Sequence, residues 1–184
     1  MSHDVVTETF HNAGGIKTGA LVRRIHPTSL STLVCFTEPD GLHHVECRIE
    51  FDDEDPRHWR HYVIHDEQSF VERDHEPGDP ADTVPSHAEF LLVRDLLHSG
   101  ESEVAFTLLE ESTGTMRAAR LVHEADEVGL YVDGKLTNRH RVVGEEVIAS
   151  DWNGAGSRVV EDLDEVFAGL DELVSLRVRN FLKG

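Results

Sequence analysis

Histidine is the residue type with the most chemistry to offer here, with 13 in a chain of 184 residues. The densest run is His58-Trp59-Arg60-His61-Tyr62-Val63-Ile64-His65. As a strand it puts His61 and His65 on one face, and His43 or His44 on a neighbouring hairpin adds a third imidazole, with Glu46 as a carboxylate ligand. Such convergence in a β-rich chain would make a metal site of cupin type, with His43, His61 and His65 as candidate ligands. Spacing works against it. Four strand residues separate positions 61 and 65 by about 13 Å at ~3.3 Å each, so both reach one ion only if the strand bends. Histidines solvated on a polar strand face are the competing account.

Other chemistries find weaker footing. Glu50, Asp52, Asp53 and Glu54 could hold a hard cation, but the spacing and glycine of an EF-hand are missing, and an acidic turn closing a strand is the simpler meaning. No Gly-x-Ser-x-Gly nucleophile elbow occurs; Gly154-Ala155-Gly156-Ser157-Arg158 has its glycines on the wrong side of the serine. The same glycines make no phosphate loop, since the lysine and the third glycine are absent. Cys35 and Cys47 sit in apolar strand patterns and read as reduced, small hydrophobes.

The elements that must position these groups are mostly strands. In residues 42–51, Val45, Cys47, Ile49 and Phe51 alternate with His44, Glu46, Arg48 and Glu50, the pattern of a half-buried antiparallel strand. Leu30–Thr37 precedes it through Asp40-Gly41, a hairpin signal, and Lys17–Ile25 reads as a strand before that. Residues 74–85 hold three of the six prolines and no apolar period, which predicts a mobile loop. A helix over 86–99 follows, with Ser86 as N-cap, Glu89 completing a capping box, and Gly100 as the stop. Strands return over 103–160. Leu163, Val166, Phe167, Leu170, Leu173 and Val174 then recur at helical spacing, interrupted by Gly169, and 176–181 extends that helix or makes a last strand.

Charge narrows the partners. Acidic residues number 36 against 17 basic ones, for a net charge of −19. Such a surface repels phosphate backbones, so nucleic acid is not an expected partner. Scarce lysine, valine far above isoleucine and abundant carboxylates fit a salt-adapted cytoplasm or a high-GC genome. No apolar stretch reaches membrane-span length, and the start, MSHDVVTETF, lacks the basic and apolar regions of an export signal. A cytoplasmic location is therefore expected.

Strands joined by tight turns, with two amphipathic helices to cover, predict one mainly β (α+β) domain over residues 1–184: a curved antiparallel sheet or half-barrel of about ten strands wrapped around one or two helices. Three segments carry a resemblance: Phe90-Leu91-Leu92-Val93-Arg94-Asp95-Leu96-Leu97, then Tyr131-Val132-Asp133-Gly134-Lys135, then Ala149-Ser150-Asp151-Trp152-Asn153-Gly154 through Val160. Their order resembles the lipoprotein-carrier-like β half-barrel superfamily and its uncharacterised or glycolipid-binding relatives. That resemblance implies an apolar cavity for acyl chains or glycolipids, with Trp59, Tyr62, Phe90, Val93, Leu97 and Trp152 as the candidate lining. The sequence departs from the carriers in lacking a lipobox cysteine near its start. Three readings stand at this point: a non-catalytic binder of a hydrophobic or amphipathic small molecule, a metal-dependent enzyme on the His58/His61/His65 region, and a structural or interaction protein with a filled core.

Overall fold

Thirteen strands and three helices follow one another in a computed structural model that describes residues 4–152 and 154–184. The first half is a meander of β1 (Asp4–His11), β2 (Lys17–His26), β3 (Ser29–Glu38), β4 (Gly41–Phe51), β5 (Trp59–Asp66) and β6 (Phe70–Asp74). A three-residue strand, β7 (Thr83–Pro85), and a 3-10 turn at Ser86–Ala88 lead into α1 (Glu89–Ser99). The second meander runs through β8 (Glu103–Glu110), β9 (Thr115–Glu124), β10 (Glu127–Val132), β11 (Lys135–Val143), β12 (Glu146–Trp152) and β13 (Ala155–Val159). Two helices, α2 (Leu163–Phe167) and α3 (Glu172–Lys183), close the described chain.

All the strands share one sheet, in the order β6-β5-β4-β3-β2-β1-β13-β12-β11-β10-β9-β8-β7. The first strand and the last pair antiparallel, Glu8 opposite Val159 and Phe10 opposite Ser157, and this welds the two meanders together. β6 and β7 remain as free edges, so the sheet is open. Among the described residues only β7 runs parallel to its neighbour, because α1 is the crossover that returns the chain to β8.

The curvature shows in the larger core. It joins Leu30, Ile49 and Tyr62 of the first meander to Leu109, Leu121, Val128 and Val147 of the second through Phe90, Val93, Leu96 and Leu97 of α1. One helix can touch both halves only if the sheet curls around it. The opposite face carries a smaller core, in which Val166, Val174 and Val178 cover Ala20, Val22, Leu33 and Cys35. Thirteen strands thus replace the ten expected, and α1 alone is wrapped, with α2 and α3 outside. Gly169, at φ +74°, breaks the predicted second helix in two. Residues 176–181 lie within α3.

Two further expectations are corrected here. Ser86 does not cap α1; its hydroxyl donates to the Glu111 carboxylate at 2.5 Å, and the helix begins after Ala88 without a side-chain cap. The predicted loop stops short of Pro85, since Thr83–Pro85 is buried and paired with β8. Its remainder is tied down by Arg73 to Asp79 at 2.6 Å and by the His75 N–H to the Arg60 carbonyl at 2.9 Å. Cys35 and Cys47 are free and belong to opposite cores, so no bridge joins them. Asn153, in the turn expected before Gly154, and residues 1–3 at the chain start lie outside the described residues. Among the described residues no helix is long and apolar enough to cross a membrane.

Candidate functional site

The concave face is apolar along α1 except at its first turn, where charged side chains gather. Strand alternation puts Val6, Glu8 and Phe10 of β1 on this face, opposite Arg23, Leu21 and Gly19 of β2. Glu8 and Arg23 therefore stand where the pattern calls for apolar residues. Both are buried, and their side chains form an ion pair. Glu8 also accepts from the Ser157 hydroxyl. The Arg23 guanidinium lies 4.1 Å from the centre of the Phe90 ring. Burial lowers its pKa to about 10, against the opposing pull of Glu89.

Glu89 continues the network across the cavity. Its Oε1 is 2.9 Å from Nε2 of His140 on β11, while Nδ1 of that ring is 2.8 Å from the Ser150 hydroxyl on β12. The buried imidazole thus bridges α1 to β12. On the other side Thr32 of β3 bonds His87 Nδ1 at 2.7 Å. Burial pulls the His87 pKa down, with Glu111 working in the opposite sense. The Glu111 carboxylate accepts from the His87 N–H at 2.9 Å as well as from Ser86, so the 3-10 turn anchors a buried anion. Asn138, with its amide turned to satisfy both of its groups, donates to the Thr137 carbonyl at 2.9 Å and accepts from Trp152 Nε1 at 3.2 Å.

These groups line an open-mouthed cavity of about 220 Å³, walled by Arg23, Thr32, His87, Glu89, His140 and Trp152 among others. A second space of about 260 Å³ shares Ser86, Glu89 and Asn138 with it and reaches the β8–β10 side. From Trp152 an aromatic ladder crosses the concave face. Trp152 stacks on Phe10 with ring centroids 6.2 Å apart, Phe10 on Phe36 at 4.7 Å, and Phe36 on His43 at 5.4 Å. The ladder has no ring on β2, where Gly19 sits. A Cβ there would come within 2.4 Å of the Phe36 Cβ, so glycine is what lets Phe10 and Phe36 meet over that strand.

The expected lining residues divide between two places. Phe90 and Trp152 stand on the cavity wall. Val93 and Leu97 are sealed in the core one and two turns further along α1. Tyr62 is buried with its hydroxyl donating to the Glu111 carbonyl at 3.1 Å. Trp59 packs against Tyr62 and His75, and its indole N–H has no hydrogen-bond partner among the described residues.

The candidate metal ligands His43, His61 and His65 are not brought together as one set. His61 and His65 lie on the outer face of β5, whereas His43 pairs with Phe36 on the concave face. His61 instead meets Asp74 at 2.9 Å, and His43 meets Asp40 at 2.9 Å, a bond that raises the His43 pKa. The acidic turn after β4 is also engaged within the protein: Asp53 with His58 at 2.9 Å, Glu50 with Arg60 at 2.9 Å. Sequence reasoning missed Glu8, Arg23, Glu111, Asn138 and His140, although a charge in the apolar phase of a strand marks Glu8 and Arg23.

No protein-family model matches this chain, and no curated protein does. Two solved structures are similar in shape. One is a DUF1089 family protein from Pseudomonas aeruginosa, at TM-score 0.47 and 12% identity, with 76% of this chain and 91% of that one covered. The other is a β-barrel-like protein of the domain of unknown function DUF1849 from Brucella abortus, at TM-score 0.47 and 12% identity, covering 86% of this chain and 94% of that one. Neither is described as a lipoprotein carrier, and at this distance neither likeness bears on activity.

Proposed function

We propose that this chain binds an amphipathic small molecule, without catalysis, at the first turn of α1 inside the curved sheet. One observation carries the reading. Arg23, Glu89, His140 and the Asn138 amide face a space that an aromatic ladder extends outward. Buried charges are retained at the expense of stability, since apolar groups of similar volume would serve a filled core as well or better. Their grouping around an unfilled space gives them a use. The cavity lies below the usual ~300–1,000 Å³ of a small-molecule site, which suits a polar group inside and an apolar or flat portion against Trp152, Phe10 and Phe36. A purely hydrocarbon ligand fits worse, because it would strip water from Glu89 and Asn138 and offer no hydrogen bond in return.

The test uses a Trp59→Phe background, so that Trp152 alone fluoresces, together with native mass spectrometry of untagged protein. Amphiphiles with sugar, phosphate or carboxylate headgroups are titrated below their micelle concentrations. The expected result is a saturable, one-to-one adduct for one headgroup class, with a matching change in Trp152 emission. Loss of both in Arg23→Met, with folding retained, would locate the site. Absence of any adduct in the parent protein would overturn the reading and leave the filled-core alternative.

A further inference from the structure

Two histidines and two carboxylates meet on the outer face of β4 and β5, on the side of the sheet away from the cavity. The register sets Glu46 opposite His65. His44 shares that face because it stands two residues before Glu46. His44, Glu46 and His65 each offer one ligand atom, and these three atoms lie within 4.8 Å of one another. His65 Nε2 and Glu46 Oε2 are 3.8 Å apart, too far for a hydrogen bond but close enough to flank an ion. The His44 and His65 rings meet edge to face with centroids 6.2 Å apart.

A fourth group braces the arrangement. Glu67, in the turn after β5, accepts from the His44 backbone N–H and sits 3.0 Å from His44 Nδ1. A carboxylate on one imidazole nitrogen orients the ring and leaves the other nitrogen for a metal. The His44 side chain is 7% exposed and so fixed in place, while those of Glu46 and His65 are 31% and 41% exposed and free to close.

We propose that His44, Glu46 and His65 bind one first-row transition-metal ion of the zinc class, with Glu67 as the positioning residue behind His44. Two imidazoles and one carboxylate form a donor set for such ions, whereas Mg²⁺ and Ca²⁺ prefer oxygen throughout. Ligand atoms ~2.1 Å from one ion stand well within the present separations, so closure asks for a shift of about an ångström at the tips of Glu46 and His65. Glu46 and His65 also line a groove of about 480 Å³, whose walls include Arg24, Arg48 and Arg177. The ion would keep an open coordination position there, suited to water or an anionic oxygen.

The test takes the full chain without a histidine tag, strips it with a chelator and titrates Co²⁺ in excess Mg²⁺, which occupies ordinary surface carboxylates. One equivalent should produce the visible bands of Co²⁺ held by nitrogen and oxygen, and Zn²⁺ should displace it. His65→Gln and Glu46→Gln should each weaken binding by 100-fold or more, and Glu67→Gln by ~10-fold with unchanged stoichiometry. His61→Gln, further along the same strand face, should bind as the parent does. Zn²⁺ should raise the melting temperature of the parent and not of His65→Gln, whose fold is checked by circular dichroism. Failure of the parent to saturate at one equivalent would overturn the proposal, and so would bands that persist in both ligand variants.

Discussion

The helices on the two faces of this sheet are held by different means. α1 buries Glu89, Phe90, Leu92, Val93, Leu96 and Leu97 in eleven residues, whereas α3 buries only Val174 and Val178 in twelve. α1 has no side-chain cap, while Asp171 caps α3 by accepting from the Leu173 N–H at 2.8 Å. An acidic first turn and a basic last turn suit the dipole of both helices, with Glu89 and His98 in α1 and Glu172 and Lys183 in α3, so the cap is what differs. A helix enclosed by a sheet is fixed by what surrounds it, and its first residues are released for other contacts. Ser86 and Glu89, which spell a capping box, turn instead to Glu111 and His140. A helix laid on a surface has fewer neighbours and depends more on local signals.

The sharpest way to break this contrast is a charge in each helix. Val93 and Val178 are both fully buried. Val93→Asp places a carboxylate between two halves of a core that cannot part without opening the sheet, so it should remove ~5 kcal/mol of stability or prevent folding. Val178→Asp lets α3 lift into water and should remove about half as much. Urea denaturation followed by circular dichroism measures both. Equal losses would mean that α3 is as integral to the fold as α1.

A second test asks whether the polar end of the α1 cavity is held by its charges. Arg23→Ala leaves Glu8 and Glu89 buried without their cation, which should remove ~3 kcal/mol. Arg23→Leu combined with Glu8→Leu should recover part of that loss, since Glu8 is then gone and Glu89 keeps its bond to His140. If the single and double variants were equally unstable, packing rather than pairing would be what Arg23 contributes.

How far the sequence displays all this depends on the range of the forces concerned. The alternation of Val45, Cys47, Ile49 and Phe51 reports a local fact, the two sides of one strand, and the structure repeats it at Cys47, Ile49 and Phe51, whereas His44 on the other side is buried and Val45 only half-buried. Gly100, in the left-handed region at φ +71°, ends α1 where its position suggested. The capping box misleads because its two side chains find stronger partners far along the chain, at Glu111 and His140, and local spacing carries no trace of those residues. The metal expectation divides in the same way. That His61 and His65 share a strand face is legible from period two, but His43 and His44 differ by one residue and therefore point to opposite faces. Only the register Glu46 opposite His65 decides which of them can join His65.

The capping contrast itself gives a smaller effect. Asp171→Ala removes one N-terminal hydrogen bond from α3 and should cost ~1 kcal/mol, as loss of a cap does. Ser86→Ala should cost ~1–2 kcal/mol for a different reason, because a buried carboxylate loses one of its hydrogen bonds. The two are separable by linkage to Glu111. In a Glu111→Gln background the effect of Ser86→Ala should shrink, while that of Asp171→Ala should stay the same. An unchanged Ser86→Ala would return that residue to a capping role.

The subtlest prediction concerns pH at the same turn. Burial holds the folded-state pKa of His87 below its ordinary 6.5, so the native protein keeps the ring neutral at a pH where the unfolded chain has begun to protonate it. Protons bind more readily to the unfolded state in that interval, and stability therefore rises with pH there. The contribution of His87 is present in full above about 6.5 and declines as pH falls from 6.5 toward the folded-state pKa. His43 and His58 run the other way. Their pKa values are raised by Asp40 and Asp53, so what they add is present below 6.5 and lost as pH climbs through the folded values. The carboxylates held low, Asp53 and Asp66 among them, act only near and below their ordinary range. His87→Asn keeps a group able to bond Thr32 and removes the titration. Urea midpoints between pH 5 and 6.5 should therefore fall less steeply in His87→Asn than in the parent, with the two converging in slope above pH 7. Identical slopes below 6.5 would show that the ring of His87 reaches water freely, and that the α1 end of the cavity is open on the β3 side.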